Sequence, residues 1–304
     1  MKIGLHISDF TWDGGVPALP QRLGEIARRA EDAGVDRVSV MDHVWQIGHI
    51  GPPEHEMLEA YTTLGWLAAR TERVKLLTVV TAVVYRDPGL LAKSVTTLDV
   101  LSGGRAMLGI GAGDYEDEAV GLGLPFGSFA DRYDQLEDAI QVCLRMWTGD
   151  TGDERPFEGH EAHLGRPLNV PQSLQRPHPP ILIAGSGEKR TLPLVARYAD
   201  ACNLPPSPEL PRKLDILRGL CAEAGTDYDR IEKTAPFGFD VGERGEKVDE
   251  LLHQLEWLAG MGIETVIGWV VGVERIRPLE IMAREVIPVV ARFEPRRTVG
   301  AAAG

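Results

Sequence analysis

Apolar runs alternate with segments of helical periodicity along almost the whole chain. The apolar runs are KIGLHIS, DRVSVM, VKLLTVVTAVV, RAMLGIGAG, PILIAG, DACNL, TAPFGFDV and ETVIGWVV. Helical periodicity follows them near 19–34, 56–70, 88–101 and 129–148, from about 188, and near 208–224, 245–261 and 276–291. Eight such pairs predict an α/β fold, a closed parallel (β/α)8 TIM barrel, rather than an open doubly wound sheet. No G-x-G-x-x-G motif, which is typical of dinucleotide-binding sheets, follows the first run.

Residues 149–179 interrupt this alternation. They are rich in Gly, Pro and charged residues and show no sustained periodicity. Because ordering a long irregular connection costs backbone entropy, such segments are usually functional or mobile. We expect an inserted irregular segment after the fourth strand-helix unit, acting as a lid or a subunit contact. Otherwise we expect residues 1–304 to form one TIM-barrel domain with a flexible C-terminal tail from about 294 to 304.

The composition of the chain narrows the classes of partner. Its 43% hydrophobic and 25% charged residues are typical of a soluble globular enzyme. A formal net charge of −13, without a long run of Lys or Arg, argues against nucleic acid and anionic membrane surfaces as partners. No window of about 18 uninterrupted apolar residues occurs, so we expect a cytoplasmic protein. The three cysteines are far apart in the sequence, which suits a reducing compartment.

Two polar residues follow the second apolar run. In a parallel barrel the chemistry lies at the carboxyl ends of the strands, so Asp42 and His43 are candidates. They are either a catalytic pair or polar residues that close the strand. A metal site is not expected, because neighbouring residues of an extended chain point to opposite faces and no third ligand has suitable spacing.

Glycine-rich turns follow the fourth and fifth runs. The stretch GIGAGDYEDE, residues 109–118, either lets a planar ligand approach the backbone, with Asp114 and Glu116 close by, or forms a plain turn with a solvated acidic face. The stretch AGSGEKRTL, residues 184–192, leads into a helix and offers backbone N–H groups, Ser186 and two basic residues to an anion. Such a turn also begins helices for structural reasons alone.

Several stretches, in this order, resemble the luciferase-like monooxygenase superfamily. They are SVMDH, YRDPGLLAKSVTTLDVLSGGRAMLGIGAG, PFEG and QRPHPPILIAGSGEKRTLPLVARYADACN, and the resemblance covers most of the chain. More narrowly, they resemble the actinobacterial branch that depends on the deazaflavin coenzyme F420. The resemblance implies a TIM barrel with an inserted segment, frequent homodimers, a small-molecule substrate, hydride transfer to or from C5 of the deazaflavin, and no metal.

The resemblance also implies roles for particular residues. Asp42 and His43 would flank the coenzyme and the substrate, and Trp45 would lie near the pocket wall. A non-prolyl cis peptide, matching Val79-Val80, would support the ring from behind. One glycine turn, formed by Gly111, Ala112 and Gly113, would line the coenzyme's side chain. A second turn, formed by Ala184, Gly185, Ser186 and Gly187, would hold its phosphate.

His43 is our first candidate for the proton donor or acceptor, since an imidazole exchanges protons near pH 7. Asp42 could orient His43 or the ring, or contribute fixed negative charge. Some relatives place a glutamate donor after the strand-four turn, where this chain has Asp114, with Glu116 two residues on. Asp114 or Glu116 is therefore the second candidate for the acid.

The sequence leaves alternatives for the coenzyme and the substrate. An FMN-dependent monooxygenase would use the same barrel and the same phosphate turn, with molecular oxygen. A non-catalytic flavin-binding protein would keep the cleft without proton transfer. Relatives that bind sugar phosphates use further cations around the later strands, and here none precedes Arg244 and Arg275, so a phosphorylated substrate is not predicted.

Overall fold

The eight predicted apolar runs form one parallel sheet. The computed structural model describes residues 1–295, so most of the predicted flexible tail lies outside the described residues. The strands are β1 Lys2–Ile7, β2 Arg37–Val40, β3 Lys75–Thr78, β4 Thr81–Ala82, β5 Leu108–Gly111, β6 Phe157–Glu158, β7 His163–Leu164, β8 Ile181–Ala184, β9 Ala201–Asn203, β10 Glu232–Phe239 and β11 Thr265–Val270. In the large sheet they are hydrogen-bonded in the order β3, β2, β1, β11, β10, β9, β8, β5 and β4.

The third predicted strand closes the sheet into a barrel. The run that was predicted as one strand is broken into β3 and β4 at Val79 and Val80, and the peptide bond between these two residues is cis, as the resemblance implied. Strand β3 pairs with β2, whereas β4 pairs with β5. Leu76 of β3 also exchanges backbone hydrogen bonds with Arg105 and Met107, just before β5. The predicted (β/α)8 barrel is therefore confirmed.

Helices surround the sheet in the predicted order, with two differences. A short helix, α4, follows the strand-four turn where no element was predicted, and the predicted last helix is broken into α9, a π-helical segment Met282–Val286 and α10. Pro288 lies in the first turn of α10, where it lacks the N–H that would continue the preceding helix. The helices are α1 Gly15–Ala33, α2 Ala60–Ala68, α3 Pro88–Ser102, α4 Glu116–Gly121, α5 Phe129–Met146, α6 Thr191–Tyr198, α7 Leu210–Ala224, α8 Val248–Gly260, α9 Arg277–Ile281 and α10 Ile287–Val290.

The two faces of the barrel strands belong to different apolar clusters. The larger cluster joins the strands to the surrounding helices. Because successive side chains of a strand point to opposite faces, the remaining apolar strand residues form a second, smaller cluster. It consists of Leu77, Met107, Leu182, Ala201 and Ile267, with Val79, Val80 and Ala184 packed against it. Residues that the sequence assigned to coenzyme binding thus adjoin this smaller cluster.

An ion pair fills the amino-terminal end of the barrel. Arg37 at the start of β2 is fully buried and donates to Asp36 at 2.8 Å and to Glu232 at 2.8 Å. Gly4 leaves room for its aliphatic stem, since a Cβ there would lie 2.7 Å from Cγ of Arg37. This end of the barrel is closed, which leaves the carboxyl end as the open mouth.

The inserted segment 149–179 is more ordered than predicted. It contains the antiparallel pair β6 and β7, and two buried carboxylates anchor it. Asp138 of α5 accepts hydrogen bonds from the backbone of Glu161 and Ala162, at 2.6 and 3.0 Å, and Asp99 of α3 accepts two from the backbone near Leu174. Its role as a lid or a subunit contact stays a prediction.

A substitution at Gly109 of β5 tests how closely β5 packs against the third barrel strand. A Cβ at this position would overlap the carbonyl oxygen of Thr78, which is backbone and cannot move aside. We expect Gly109→Ala to lower the free energy of unfolding by about 3 kcal/mol, the upper range for overpacking. The control is Gly65→Ala in α2, where no atom lies within 4 Å of an added Cβ and where alanine should stabilise the helix by about 1 kcal/mol. Equal effects in urea denaturation would contradict the packing described for β5.

Candidate active site

The loop after β2 is held at the mouth of the barrel by one buried carboxylate. Glu118 of α4 is fully buried and accepts hydrogen bonds from Nδ1 of His43 at 2.6 Å, and from the backbone N–H groups of Val44 and Trp45 at 2.5 and 2.9 Å. A fourth hydrogen bond comes from the hydroxyl of Tyr85 at 2.6 Å. The two oxygens of Glu118 thereby fix the direction of the chain just after Asp42 and also orient the imidazole.

These hydrogen bonds decide the charge state of Glu118. Burial by itself raises the pKa of a carboxyl, but the hydrogen bonds from His43 and Tyr85 and from two backbone amides hold the pKa of Glu118 below its ordinary value of 4.5. Burial, with the adjacent carboxylate, raises the pKa of the Tyr85 phenol. Tyr85 is therefore a neutral donor and Glu118 an anionic acceptor at neutral pH.

His43 lies between two aromatic rings. The rings of Tyr85 and Tyr115 meet the imidazole edge-on, with centroid distances of 6.3 and 5.8 Å. The hydroxyl of Tyr115 in turn accepts the backbone N–H of Gly48 at 3.1 Å. The side chain of His43 is 18% exposed, and among residues 1–295 no group is hydrogen-bonded to its Nε2. Nε2 is thus the ring nitrogen left for a ligand.

Asp42 belongs to a different network from His43. Its carboxylate receives two hydrogen bonds from the guanidinium of Arg86, at 2.8 Å from Nε and 2.5 Å from Nη2. Arg86 also donates to Glu59, the N-cap of α2, at 2.6 Å. Although burial opposes ionisation of Glu59, hydrogen bonds from Thr62 and Arg86 lower its pKa to about 2. The sequence suggested that Asp42 could orient His43, but the carboxylate that bonds His43 is Glu118.

A second histidine adjoins the first. His6 of β1 is hydrogen-bonded through Nδ1 to the hydroxyl of Ser39 at 2.9 Å, and that hydroxyl donates to the carbonyl of Leu5. Burial, and then the positive charge that His43 can carry, lower the pKa of His6 to about 4. His6 is therefore neutral at pH 7. It lines a cavity of about 460 Å³ together with Trp12, Trp269 and the ends of β1 and β11.

The glycine turn at residues 111–113, at the end of β5, packs tightly against the broken third barrel strand, β3 and β4. A Cβ at Gly111 would lie 3.1 Å from Val80, and one at Gly113 would lie 3.2 Å from Val84. Gly113 has a φ of 77°, which favours glycine, and Ala112 between them is half-buried. The turn consequently exposes backbone rather than side chains next to the cis bond.

Hydroxyl groups fix the backbone behind the Val79-Val80 bond. Thr78 and Thr81 are fully buried, and their hydroxyls are 2.9 Å apart. The hydroxyl of Thr78 donates to the carbonyl of Gly109 at 2.9 Å, and Tyr61 is bonded to Thr81 at 2.9 Å. This network joins the third and fourth barrel strands at the level of the predicted coenzyme ring.

The turn at residues 184–187, for which the sequence predicted an anion site, directly follows β8. Gly185 has a φ of 114°, and the turn leads into α6. Within residues 1–295 no acceptor is bonded to the backbone N–H groups of Ser186 and Gly187. A cation that the sequence did not indicate lies beside the turn, because Lys213 of α7 donates to the carbonyl of Ser186 at 2.9 Å. Of the two basic residues predicted nearby, Arg190 forms an ion pair with Asp134 at 3.0 Å instead.

The remaining predicted site residues lie at the rim. Asp114 is exposed, although it is close enough to Tyr85 to contribute to the raised pKa of that phenol. Trp45 is half-buried, and its ring lies over Gly121 of α4. No group of three or more His, Cys, Asp or Glu side chains in residues 1–295 is arranged to hold a metal ion. No helix of this part of the chain is long and apolar enough to cross a membrane.

Comparison with known proteins agrees with the fold and the order of these turns. The model of the luciferase-like monooxygenase family matches residues 1–286. The chain belongs to this family. Solved structures of similar fold include an F420-dependent secondary alcohol dehydrogenase in complex with an F420-acetone adduct and a monooxygenase from Streptomyces bottropensis. Each is 20% identical to this chain, with a TM-score of 0.79. Each similarity covers 95% of this chain, together with 98% of the dehydrogenase or 99% of the monooxygenase.

Named relatives are more similar in sequence. An F420-dependent glucose-6-phosphate dehydrogenase from Nocardia farcinica is 36% identical over 187 residues, which are 59% of this chain and 50% of that protein. A second protein of the same name, from Gordonia bronchialis, is 33% identical over 206 residues. This luciferase-like chain spans about half the length of the curated relatives that it matches.

The hydrogen bonds of Glu118 predict the effect of removing its charge. Glu118→Gln keeps the shape but places an NH2 group against groups that already donate, so we expect a loss of about 2–3 kcal/mol in the free energy of unfolding. Hydrogen exchange at the amides of Val44 and Trp45 should become faster. Because the bonded carboxyl has a lowered pKa, this stabilisation is present above pH 4.5 and is lost as the pH falls through that lowered pKa.

The matched control for this substitution is Glu116→Gln. Glu116 is exposed in the first turn of the same helix, so its loss of charge should change the stability by less than about 0.5 kcal/mol. Chemical denaturation at pH 7 measures both variants. Equal stabilities of the two variants would show that Glu118 does not anchor the loop after β2.

Proposed function

We propose that this protein is an oxidoreductase that transfers a hydride between coenzyme F420 and a small organic substrate. The proposal rests on one structural observation, the imidazole of His43 held by Glu118 at the barrel mouth with Nε2 directed away from its protein partner. It is supported by two sequence relatives, which are named F420-dependent glucose-6-phosphate dehydrogenases and are 36% and 33% identical to this chain.

The residues at the mouth fit a planar coenzyme with a phosphorylated side chain. The ring would lie against Val79 and Val80, where the glycine turn 111–113 presents backbone and leaves a flat surface. The side chain would pass over that turn, with Ala184 beside it, and its phosphate would be bound by Gly185, Ser186 and Gly187. When bound, the deazaflavin supplies C5 as the position that gives or takes the hydride.

The chain's own residues would handle the proton that accompanies the hydride. An ionised carboxylate can only accept hydrogen bonds, so Glu118 requires the proton of a neutral His43 to be on Nδ1. Nε2 then carries the lone pair and can take a proton from a substrate hydroxyl, or return it in the reverse direction. Asp42 would be held beside the ring by Arg86, which binds both of its oxygens. Asp114 is exposed and remains the second candidate for the acid.

The fold by itself does not decide between the coenzymes. Proteins of similar structure include both a monooxygenase and an F420-dependent dehydrogenase, each only 20% identical to this chain. We favour F420 over FMN because two relatives, at 36% and 33% identity, carry F420 in their names. A protein that binds a flavin without catalysis would not need an oriented imidazole at the mouth.

We also propose that the chain forms a homodimer. Leu90 and Leu101 lie three turns apart on one face of α3, with 70% and 72% of their surfaces exposed. Val170 and Leu174, from the inserted segment alongside α3, are 58% and 57% exposed. Lys93 of α3 donates to the carbonyl of Val170 at 2.7 Å and holds the segment beside the helix. A second copy of the chain would cover this apolar surface.

Equilibrium binding of F420 and of FMN tests the proposal. We expect F420 to bind in the micromolar range, with FMN at least about a hundredfold weaker, as measured by fluorescence or absorbance. Ser186→Asp should weaken F420 binding about a hundredfold by placing a carboxylate next to the phosphate, while the neutral Ser186→Asn should retain most of the affinity. Tight binding of FMN with no binding of F420 would overturn the choice of coenzyme. Equal affinities of the Asp and Asn variants would overturn the phosphate site.

A further inference from the structure

Three arginines converge on one cavity at the carboxyl end of the barrel. The cavity has a volume of about 410 Å³ and lies between the loops that follow β10 and β11. It is lined by Arg244, Arg275 and Arg277, with Gly242, Glu243 and Pro278. Its lining carries a formal charge of +2, from three arginines and one glutamate, in a chain whose net charge is −13. A concentration of positive charge in such an acidic protein favours the binding of an anionic ligand.

The guanidinium groups are not neutralised by the protein. Within residues 1–295, no carboxylate lies within 4 Å of the side-chain nitrogens of Arg244 or Arg277, and Arg275 has only Glu274, at 3.6 Å. The closest further acids face other groups. Glu246 accepts the backbone N–H groups of residues 243 and 244, at 3.1 and 2.8 Å, and Asp240 is paired with Lys247. The three guanidiniums therefore keep donors for a ligand.

The backbone fixes two of the arginines in place. Ile276, between Arg275 and Arg277, has a φ of 64°, which is rare for a β-branched residue. Its side chain is only 7% exposed and belongs to the main apolar core, so core packing maintains this conformation. Nε of Arg277 donates to the carbonyl of Glu243 at 2.9 Å, which joins the two loops across the cavity.

The cavity adjoins the one that contains His6. The turn formed by Gly272, Val273 and Glu274 lines the cavity of His6, and Arg275, the next residue, lines the arginine cavity. Both cavities open at the end of the barrel where β10 and β11 finish. His43 is near enough to lower the pKa of His6. A substrate whose reacting carbon lies near the histidines could thus place a distal group among the arginines.

We infer that this cavity binds an oxyanion, a phosphate or a carboxylate, carried by the substrate of the enzyme. Guanidinium groups bind both oxyanions through paired N–H donors, and three of them match the several oxygens of such a group. The inference rests on the proposed oxidoreductase function, and it revises the expectation from sequence that a phosphorylated substrate is not used. That expectation counted cations along the chain, whereas Arg244 and Arg275 are brought together only by the fold.

Calorimetric titration with inorganic phosphate at constant ionic strength tests the cavity. We expect phosphate to bind at least tenfold more weakly to the double variant Arg275→Gln/Arg277→Gln than to the unmodified chain. Arg284→Gln, which removes one positive charge from an exposed residue of the π-helical segment, should leave the affinity unchanged. The double variant Arg275→Lys/Arg277→Lys, which keeps the charge, should lose less than the glutamine variant and controls for folding. Competition by acetate separates a carboxylate site from one that takes only phosphate.

The turn at 184–187 is the other place where phosphate is expected, so the titration is repeated in Ser186→Asp. Phosphate binding that survives this substitution and is lost in the double glutamine variant supports the cavity. Equal phosphate affinity of the unmodified and double variant chains would overturn the inference. So would a double variant that loses F420 together with phosphate, because the arginines would then hold the coenzyme. Failure of the unmodified chain to bind F420 would instead refute the proposed function and leave the phosphate result standing.

Discussion

The candidate site depends on one buried carboxylate, Glu118. It accepts four hydrogen bonds, two from the backbone that follows β2 and one each from His43 and Tyr85. An ionised carboxylate is costly to bury unless its oxygens are bonded, and here that requirement specifies the conformation of the loop. The short helix α4, which carries Glu118, is therefore part of the site although the sequence did not predict it.

The two buried carboxylates at the mouth of the barrel have different hydrogen-bond partners. Glu118 is bonded by His43, Tyr85 and two backbone amides, whereas Asp42 is bonded by Arg86. The first arrangement orients an imidazole, and the second holds a carboxylate beside the proposed ring. Positive charge is found elsewhere, at Lys213 beside the turn at 184–187 and in the cavity of Arg244, Arg275 and Arg277. This distribution suits a coenzyme and a substrate that both carry anionic groups at a distance from the reacting atoms.

The barrel could be predicted from the sequence because each buried strand is a local run of apolar residues. Its turns could be predicted because glycines occur at them. Sequence reasoning did not find Glu118. The stretch DYEDE contains four acids in five residues, and only the packing of α4 against the loop distinguishes the buried one. In the same way, Arg86 reads as the end of a strand until the fold brings it to Asp42, and His6 reads as an interior residue of β1. Long-range pairs of this kind leave no local pattern.

The central claim is that Glu118 fixes the tautomer of His43, and nitrogen-15 NMR of histidine-labelled protein measures it directly. Spectra are recorded at rising pH until the ring signals no longer change, so that the neutral imidazole is observed. The account predicts that His43 is protonated on Nδ1 with an unprotonated Nε2, and that Glu118→Gln shifts the ring toward a mixture of tautomers. Protonation of His43 predominantly on Nε2 would contradict the account, because Nε2 could not then accept a proton from the substrate.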